Sequence, residues 1–177
     1  DGDILWQGES ISRVNYEFLS QLLFIGHLPG IKKTLTPREN LRFLGHLNGQ
    51  CDLEQIDDAL AQVGLYGYED MAGYQLSAGQ NRRVALARLY LSDALVWVLD
   101  EPYTALDTQG VAKLEALFAE HASQGGCVIM TSHQPPQVKG LRHLSFVDYL
   151  PRKNRAINSR STDNSCETMT QNGGDDV

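Results

Sequence analysis

The run ALVWVLDE ends in two adjacent carboxylates, Asp100 and Glu101, after an apolar stretch that begins just past Asp93. A buried strand that delivers two acids at its C-terminal end places them where open α/β sheets bind their ligands. Asp100 suits a Mg2+ ion bound directly or through water, and Glu101 suits a general base or a group that orients water. Taken alone, such a pair more often only ends a strand and opens a turn, here at Pro102. A second apolar run, CVIMTSH, ends in His133. In a parallel sheet His133 reaches the edge that carries the acids, where it can hydrogen-bond a terminal phosphate or an attacking water. A lone histidine at a strand end is more often without a ligand.

LSAGQ, residues 76–80, sets a hydroxyl and a glycine ahead of a helix. Ser77 serves as N-cap and Gly79 admits close backbone approach. The free N–H groups and the positive end of the helix dipole then form an anion site. Ordinary capping accounts for the same residues. What separates the readings is order along the chain: LSAGQ, a helix, an apolar run, Asp-Glu, the ALD of Ala105 to Asp107, a helix, a strand and a histidine.

The elements that must position these groups are legible from periodicity. DILWQGESI reads as strand turning at Gly8, and the apolar end of FLSQLLFIGH as a buried strand. Thr36, Pro37 and Glu39 form an N-cap, a first-turn proline and a capping-box partner, so a helix starts there and runs through LRFLGHLNG. Leu53, Ile56, Leu60 and Val63 make a helical stripe that Gly64 ends. These two helices form a small helical subdomain, about 38–93, with the helix expected from about Gln80 to Leu91. ALVWVLD is expected to be buried on both faces, and CVIMTSH to be a second buried strand. Between them TQGVAKLEALFAEHASQGG is a helix with Leu114, Leu117 and Phe118 on one face. Alternating strands and helices give an α/β fold with a mostly parallel sheet flanked by helices.

Composition narrows the function classes. The 177 residues fit one domain of ordinary size, the formal net charge is -7, and no basic stripe interleaves with aromatics, which argues against a nucleic-acid partner. Cys51, Cys127 and Cys166 are odd in number and widely spaced, as neither a disulfide framework nor a zinc site would have them. No apolar stretch approaches a membrane span, so a membrane role comes through a partner. From residue 151 to 177 the chain turns polar and is expected to be a disordered tail.

Taken together, the ordered set of motifs resembles the ATP-binding-cassette (ABC) ATPases, from Asp1 to about His133. By that resemblance Leu76 to Gln80 match the signature, Asp100 and Glu101 the magnesium-binding acid and catalytic base, Ala105 to Asp107 the D-loop, and His133 the switch histidine. The family pairs two subunits head to tail around ATP. Ser77, Ala78, Gly79 and Gln80 would then serve the partner's nucleotide. His27, in FIGHLPG, stands where the family carries its Q-loop glutamine. LLFIGHLPGIKKTLTPRENLRF, LSAGQNRRVALARL and LDEPYTALDTQGVAKLEALFAEH look most like the ATP-binding subunit of the haem exporter of cytochrome c maturation, which also has a histidine there.

The resemblance implies ATP and Mg2+ as cofactors, a second ATPase subunit and integral membrane permease subunits as partners, and a peripheral place at the cytoplasmic face of the inner membrane. Lys32 and Lys33 would lie toward the membrane partner or in a solvated loop. Arg82, Arg83 and Arg88 are read as packing and solvating the signature helix, not as ligands. One departure is large: GxxxxGK[ST], the phosphate loop, is absent, and no glycine is followed by lysine. The N-terminus is therefore expected to be a truncation point before the strand that follows that loop. The missing segment is expected to add a strand beside the one ending in Asp100, and these residues alone to bind ATP poorly and hydrolyse it negligibly.

Alternatives from other classes are the ATP-binding subunit of a different transporter, a cassette ATPase acting on DNA, and a catalytically inactive interaction module. The DNA-acting kind carries long coiled coils, and no sustained heptads occur here.

Overall fold

A computed structural model describes residues 3–45, 52–134 and 136–145. It divides into two units, Asp1–Lys139 and Gly140–Val177; in the second, the described residues 140–145 form neither helix nor strand. The polar tail, Cys51 and Cys166 lie outside the described residues.

The first unit opens with a hairpin of β1 (Leu5–Trp6) and β2 (Glu9–Ser10), turned by Gln7 and Gly8, both at positive φ. Such turns match the twist of the strands they join. A short helix α1 (Asn15–Ser20) leads into β3 (Leu22–Ile25). Helices α2 (Pro37–Gly45), α3 (Leu53–Gln62) and α4 (Ala78–Ala87) follow, then β4 (Val96–Asp100), α5 (Thr108–Ser123) and β5 (Cys127–Thr131).

Side-chain caps fix where these helices begin. Thr36 Oγ1 accepts the Glu39 N–H at 3.1 Å while Glu39 Oε2 accepts the Thr36 N–H at 2.8 Å, the reciprocal box read from the sequence. Asp52 with Gln55 and Ser77 with Gln80 repeat it on α3 and α4. On α5, Asp107 Oδ1 accepts the Gly110 N–H at 2.7 Å. Helix α3 stops at Gly64, whose φ of 72° a side chain would strain.

The sheet is parallel in the order β3-β4-β5, with Val96 opposite both Leu22 and Cys127, and Leu99 opposite both Ile25 and Met130. Strand β4 therefore has neighbours on both sides. The expectation of a further strand beside it is overturned, because both of its hydrogen-bonding edges are already paired. Leu23, Ile25, Trp97 and Leu99 are buried with residues of the helices in one apolar core.

Three expectations need correction. Strand β3 is buried on one face only, β5 is at most partly buried through Val128 and Met130, and β4 is not buried on both faces: Phe24 and Ile129 are 58% and 55% exposed, and with the half-buried Val98 between them they form a row on the open side of the sheet. The side-chain alternation of period two sends these residues away from the helices that cover Leu23 and Trp97. Leu53 is exposed too, since it opens the first turn of α3, and Ala59 joins Ile56 and Leu60 in the core. Finally, the signature helix is α-helical only to Ala87 and tightens into a 3-10 turn over Arg88–Leu91.

Candidate functional site

Strand β4 carries Asp100 as its last residue, and the chain then turns sharply. Glu101 has φ 50°, a left-handed conformation that costs a non-glycine residue on the order of 1 kcal/mol or more. Strand β5 holds it there: the Glu101 N–H donates to the Thr131 carbonyl at 3.2 Å and to Thr131 Oγ1 at 3.1 Å. The Thr131 hydroxyl in turn donates to Asp100 Oδ1 at 2.6 Å. One threonine thus orients both acids, through a side chain in one case and a backbone in the other.

The Glu101 carboxylate points at the segment after β5. Its Oε2 accepts the His133 N–H at 3.3 Å, and its Oε1 lies 3.6 Å from His133 Nε2. The imidazole itself is 96% exposed, whereas the Glu101 side chain is 24% exposed. A half-buried acid beside an open histidine leaves room for a ligand on the solvent side of the pair. Glu115 of α5 fixes the approach of this segment, its Oε1 accepting the Gln137 N–H at 2.7 Å and the Tyr103 hydroxyl at 3.3 Å. Burial, with Glu115 adding to it, pushes the Tyr103 phenol well above its ordinary range.

The signature residues are built by capping. Ser77 Oγ accepts the Gln80 N–H at 3.1 Å and Gln80 Oε1 accepts the Ser77 N–H at 2.8 Å, so Ala78 and Gly79 present the first turn of α4. Below them the buried Asn81 donates through its amide to the carbonyls of Gly73, Leu76 and Ser77. A Cβ on Gly79 would stand 3.1 Å from the Ala105 Cβ, so the α4 N-terminus packs against the turn that leads to Asp107. Ala105 itself has φ 72°. Among the described residues, no hydrogen bond joins Ser77 to Gln80 with Asp100, Glu101 or His133.

The fold thus gathers Asp100, Glu101 and His133, and sets the signature residues apart from them, against the turn at Ala105. Asp107 has a structural task as the cap of α5. His27 lies two residues beyond the end of β3, and its backbone is tied to that of the acids by a residue that the sequence reading does not count among the ligands. Arg82 is not solvated: it is 6% exposed, and its guanidinium donates to the carbonyls of Gly26, His27, Asp100 and Glu101. Burial lowers its pKa, against the opposing pull of Asp100 and Glu101. Arg83 donates instead to the Val63 and Gly64 carbonyls, closing the end of α3, and Arg88 reaches the Phe24 carbonyl.

Thr131, which the sequence reading does not single out, and Arg82, which it reads as solvated, both contact the acids. A signal existed for each. Thr131 falls opposite Asp100 once the two strands are aligned in parallel register. Arg82 stands at the head of a stripe with Ala85, Leu86 and Leu89, the i, i+3, i+4, i+7 spacing of a buried helix face.

Asp100 offers a hard oxygen donor, and Mg2+ is commonly held by one or two carboxylates with substrate phosphates and waters completing its shell. Among the described residues no cluster of three or more ligating side chains forms a metal cage. A single acid with room on its solvent side fits a magnesium that also takes phosphate oxygens and waters. None of the described helices is long and apolar enough to cross a membrane.

A family model described as ABC transporter matches residues 1–104. The chain is 56% identical over 134 residues to the cytochrome c biogenesis ATP-binding export protein CcmA of Aliivibrio fischeri, covering 76% of this chain and 66% of that protein. It is 55% identical to the protein of the same name from Salmonella typhi, covering 76% of this chain and 63% of that one. The chain therefore spans less than two thirds of the length of these relatives. Among solved structures, the post-hydrolysis dimer of the ATP-binding cassette MJ0796 bound to ADP and Pi superposes with a TM-score of 0.64 at 20% identity, over 76% of this chain and 63% of that one. At that identity the likeness is one of fold.

Proposed function

The chain belongs to the ABC transporter family, and from that premise we propose that the intact protein is the ATP-hydrolysing subunit of an exporter serving haem-related export in cytochrome c biogenesis. The observation that carries the catalytic part is the convergence of Asp100, Glu101 and His133 at one edge of the sheet.

In this reading Asp100, held by Thr131, ligates the Mg2+ of Mg-ATP. The ion would draw charge from the phosphate oxygens as the terminal bond breaks. Glu101 accepts the proton of the attacking water, or orients that water, from a carboxylate that the His133 N–H keeps in place. The exposed His133 imidazole donates a hydrogen bond to the terminal phosphate. His27, two residues past β3, would reach the nucleotide from the same end of the sheet. Ser77, Ala78, Gly79 and Gln80, with Asp107, face the nucleotide of a second subunit docked head to tail. Membrane permease subunits hold the assembly at the cytoplasmic face of the inner membrane, and haem-related cargo follows from the names of the relatives. No phosphate loop occurs in the 177 residues, so hydrolysis is proposed for the intact protein, and these residues alone are proposed to be inactive.

The test is Glu101→Gln in the intact protein. Loss of a positioned base costs roughly 10²–10⁴-fold in rate, so hydrolysis should collapse while Mg-ATP still binds by titration calorimetry. Hydrolysis at the parent rate would remove Glu101 from the role of base.

A further inference from the structure

Among the described residues, the buried Arg82 has no carboxylate within hydrogen-bonding reach. Nη1 donates to the Gly26 and His27 carbonyls, the latter at 3.3 Å, and Nη2 donates to the Asp100 and Glu101 carbonyls, the latter at 3.4 Å. These four carbonyls come from the two chain segments that leave the C-terminal ends of β3 and β4. Strand ends lack the next rung of the ladder, so their carbonyls need donors from elsewhere. A guanidinium has five N–H donors in a rigid plane, which lets one residue reach both segments at once. A lysine ammonium is a point donor on a flexible stem and does not span the same fork.

We propose that Arg82 is a positioning residue: a latch on helix α4 that locks the Gly26–His27 and Asp100–Glu101 backbones together and so aims Glu101 for hydrolysis. This rests on the ATPase reading above. The burial of an arginine is consistent with such a task, since a charge is costly to bury and four carbonyls offset that cost only in this arrangement. The latch also starts from the helix that opens with Ser77 and Gly79. Movement of α4 therefore pulls on the backbone of the acids, without any side chain of the signature touching them.

The experiment compares Arg82→Lys and Arg82→Gln with Arg83→Lys in the intact protein. Arg83 also donates to backbone carbonyls from α4, but at the end of α3, away from the acids. Misplacement of a catalytic group by about 1 Å can cost on the order of 100-fold. Both Arg82 variants should therefore lose ten- to hundredfold in kcat, with KM for ATP changed less than about threefold, while Arg83→Lys loses thermal stability and keeps its kcat. If Arg82 acts through Glu101, adding Arg82→Lys to Glu101→Gln should lower the residual rate by less than about twofold, because coupled groups are not additive.

A folded Arg82→Lys with parental kcat, or a full additional loss on the Glu101→Gln background, would overturn the latch. Should neither Arg82 variant fold, arginine-selective 15N NMR of the parent decides: slowly exchanging, rotation-restricted Nη–H groups support it, and a freely rotating guanidinium overturns it. An intact parent without ATPase activity would instead overturn the reading on which the latch rests.

Discussion

Thr131 and Asp100 stand opposite each other in the β4–β5 ladder, with the Thr131 hydroxyl donating to Asp100 Oδ1 at 2.6 Å. The bond fixes which carboxylate oxygen stays available. Thr131→Val keeps the shape and removes the donor. Net loss of one exposed hydrogen bond is worth about 1 kcal/mol, so the fold should survive. Groups that orient a metal ligand typically carry about 10–100-fold in metal affinity. A magnesium titration of ATP hydrolysis by the intact protein should show a shift of that size, and Thr131→Ser should restore the parental curve.

Gly79→Ala separates stability from function. Alanine gains about 0.8–1 kcal/mol over glycine in a helix interior, and somewhat less in the first turn. Against this, the new Cβ meets Ala105 at 3.1 Å, so the turn must give by a few tenths of an ångström. Thermal unfolding should move by less than about 1 kcal/mol in either direction. ATPase activity of the intact protein should fall nonetheless, because that turn carries Asp107.

Asn40 is 2% exposed and ties down the loop before α2 from inside. Its amide donates to the Lys32 and Thr36 carbonyls, each at 3.0 Å, and its Oδ1 accepts the Lys32 N–H at 2.8 Å. Asn40→Leu fills the space but leaves the part-buried Lys32 N–H without its acceptor, at about 1–3 kcal/mol, while the Lys32 and Thr36 carbonyls keep the Leu35 and Asn40 backbone N–H donors. Denaturant unfolding should register a loss of about 1–3 kcal/mol. Proteolysis should then cut first near Lys32 and Lys33.

His121 gives the fold a pH dependence. Its ring stacks on Trp97 at 3.7 Å, and Nε2–H donates to the Leu95 carbonyl at 3.2 Å. Burial holds its pKa below the ordinary 6.5, with the Leu95 bond opposing. Between the depressed value and 6.5 the unfolded chain binds more protons than the folded one, so this contribution to stability is present at neutral pH and lost as pH falls through that window. Melting temperature measured from about pH 7 to about pH 5 should decline for the parent and decline less for His121→Gln.

Much of the site was legible from local pattern. Asp100, Glu101 and His133 each end an apolar run, and the Thr36 and Ser77 caps follow from residue type and spacing alone. The charge of Arg82 points to solvent while its periodicity points inward, and the helical stripe that buries Ala85 and Leu86 also buries the arginine. An apolar run of this length reads as a strand buried on both faces for β4 and as a buried strand for β3 and β5, but it does not reveal which neighbours will cover each face.

By itself the sequence determined the elements, their caps and the order of the chemical groups, because these depend on contacts between near neighbours in the chain. It also carried the family resemblance, through the succession of its motifs. Only the tertiary structure decided which groups meet. Parallel register sets Thr131 against Asp100, and the guanidinium of Arg82 finds four carbonyls on two segments distant in sequence. Those meetings depend on how helix α4 lies against the ends of β3 and β4, and no local pattern of residue types encodes that placement.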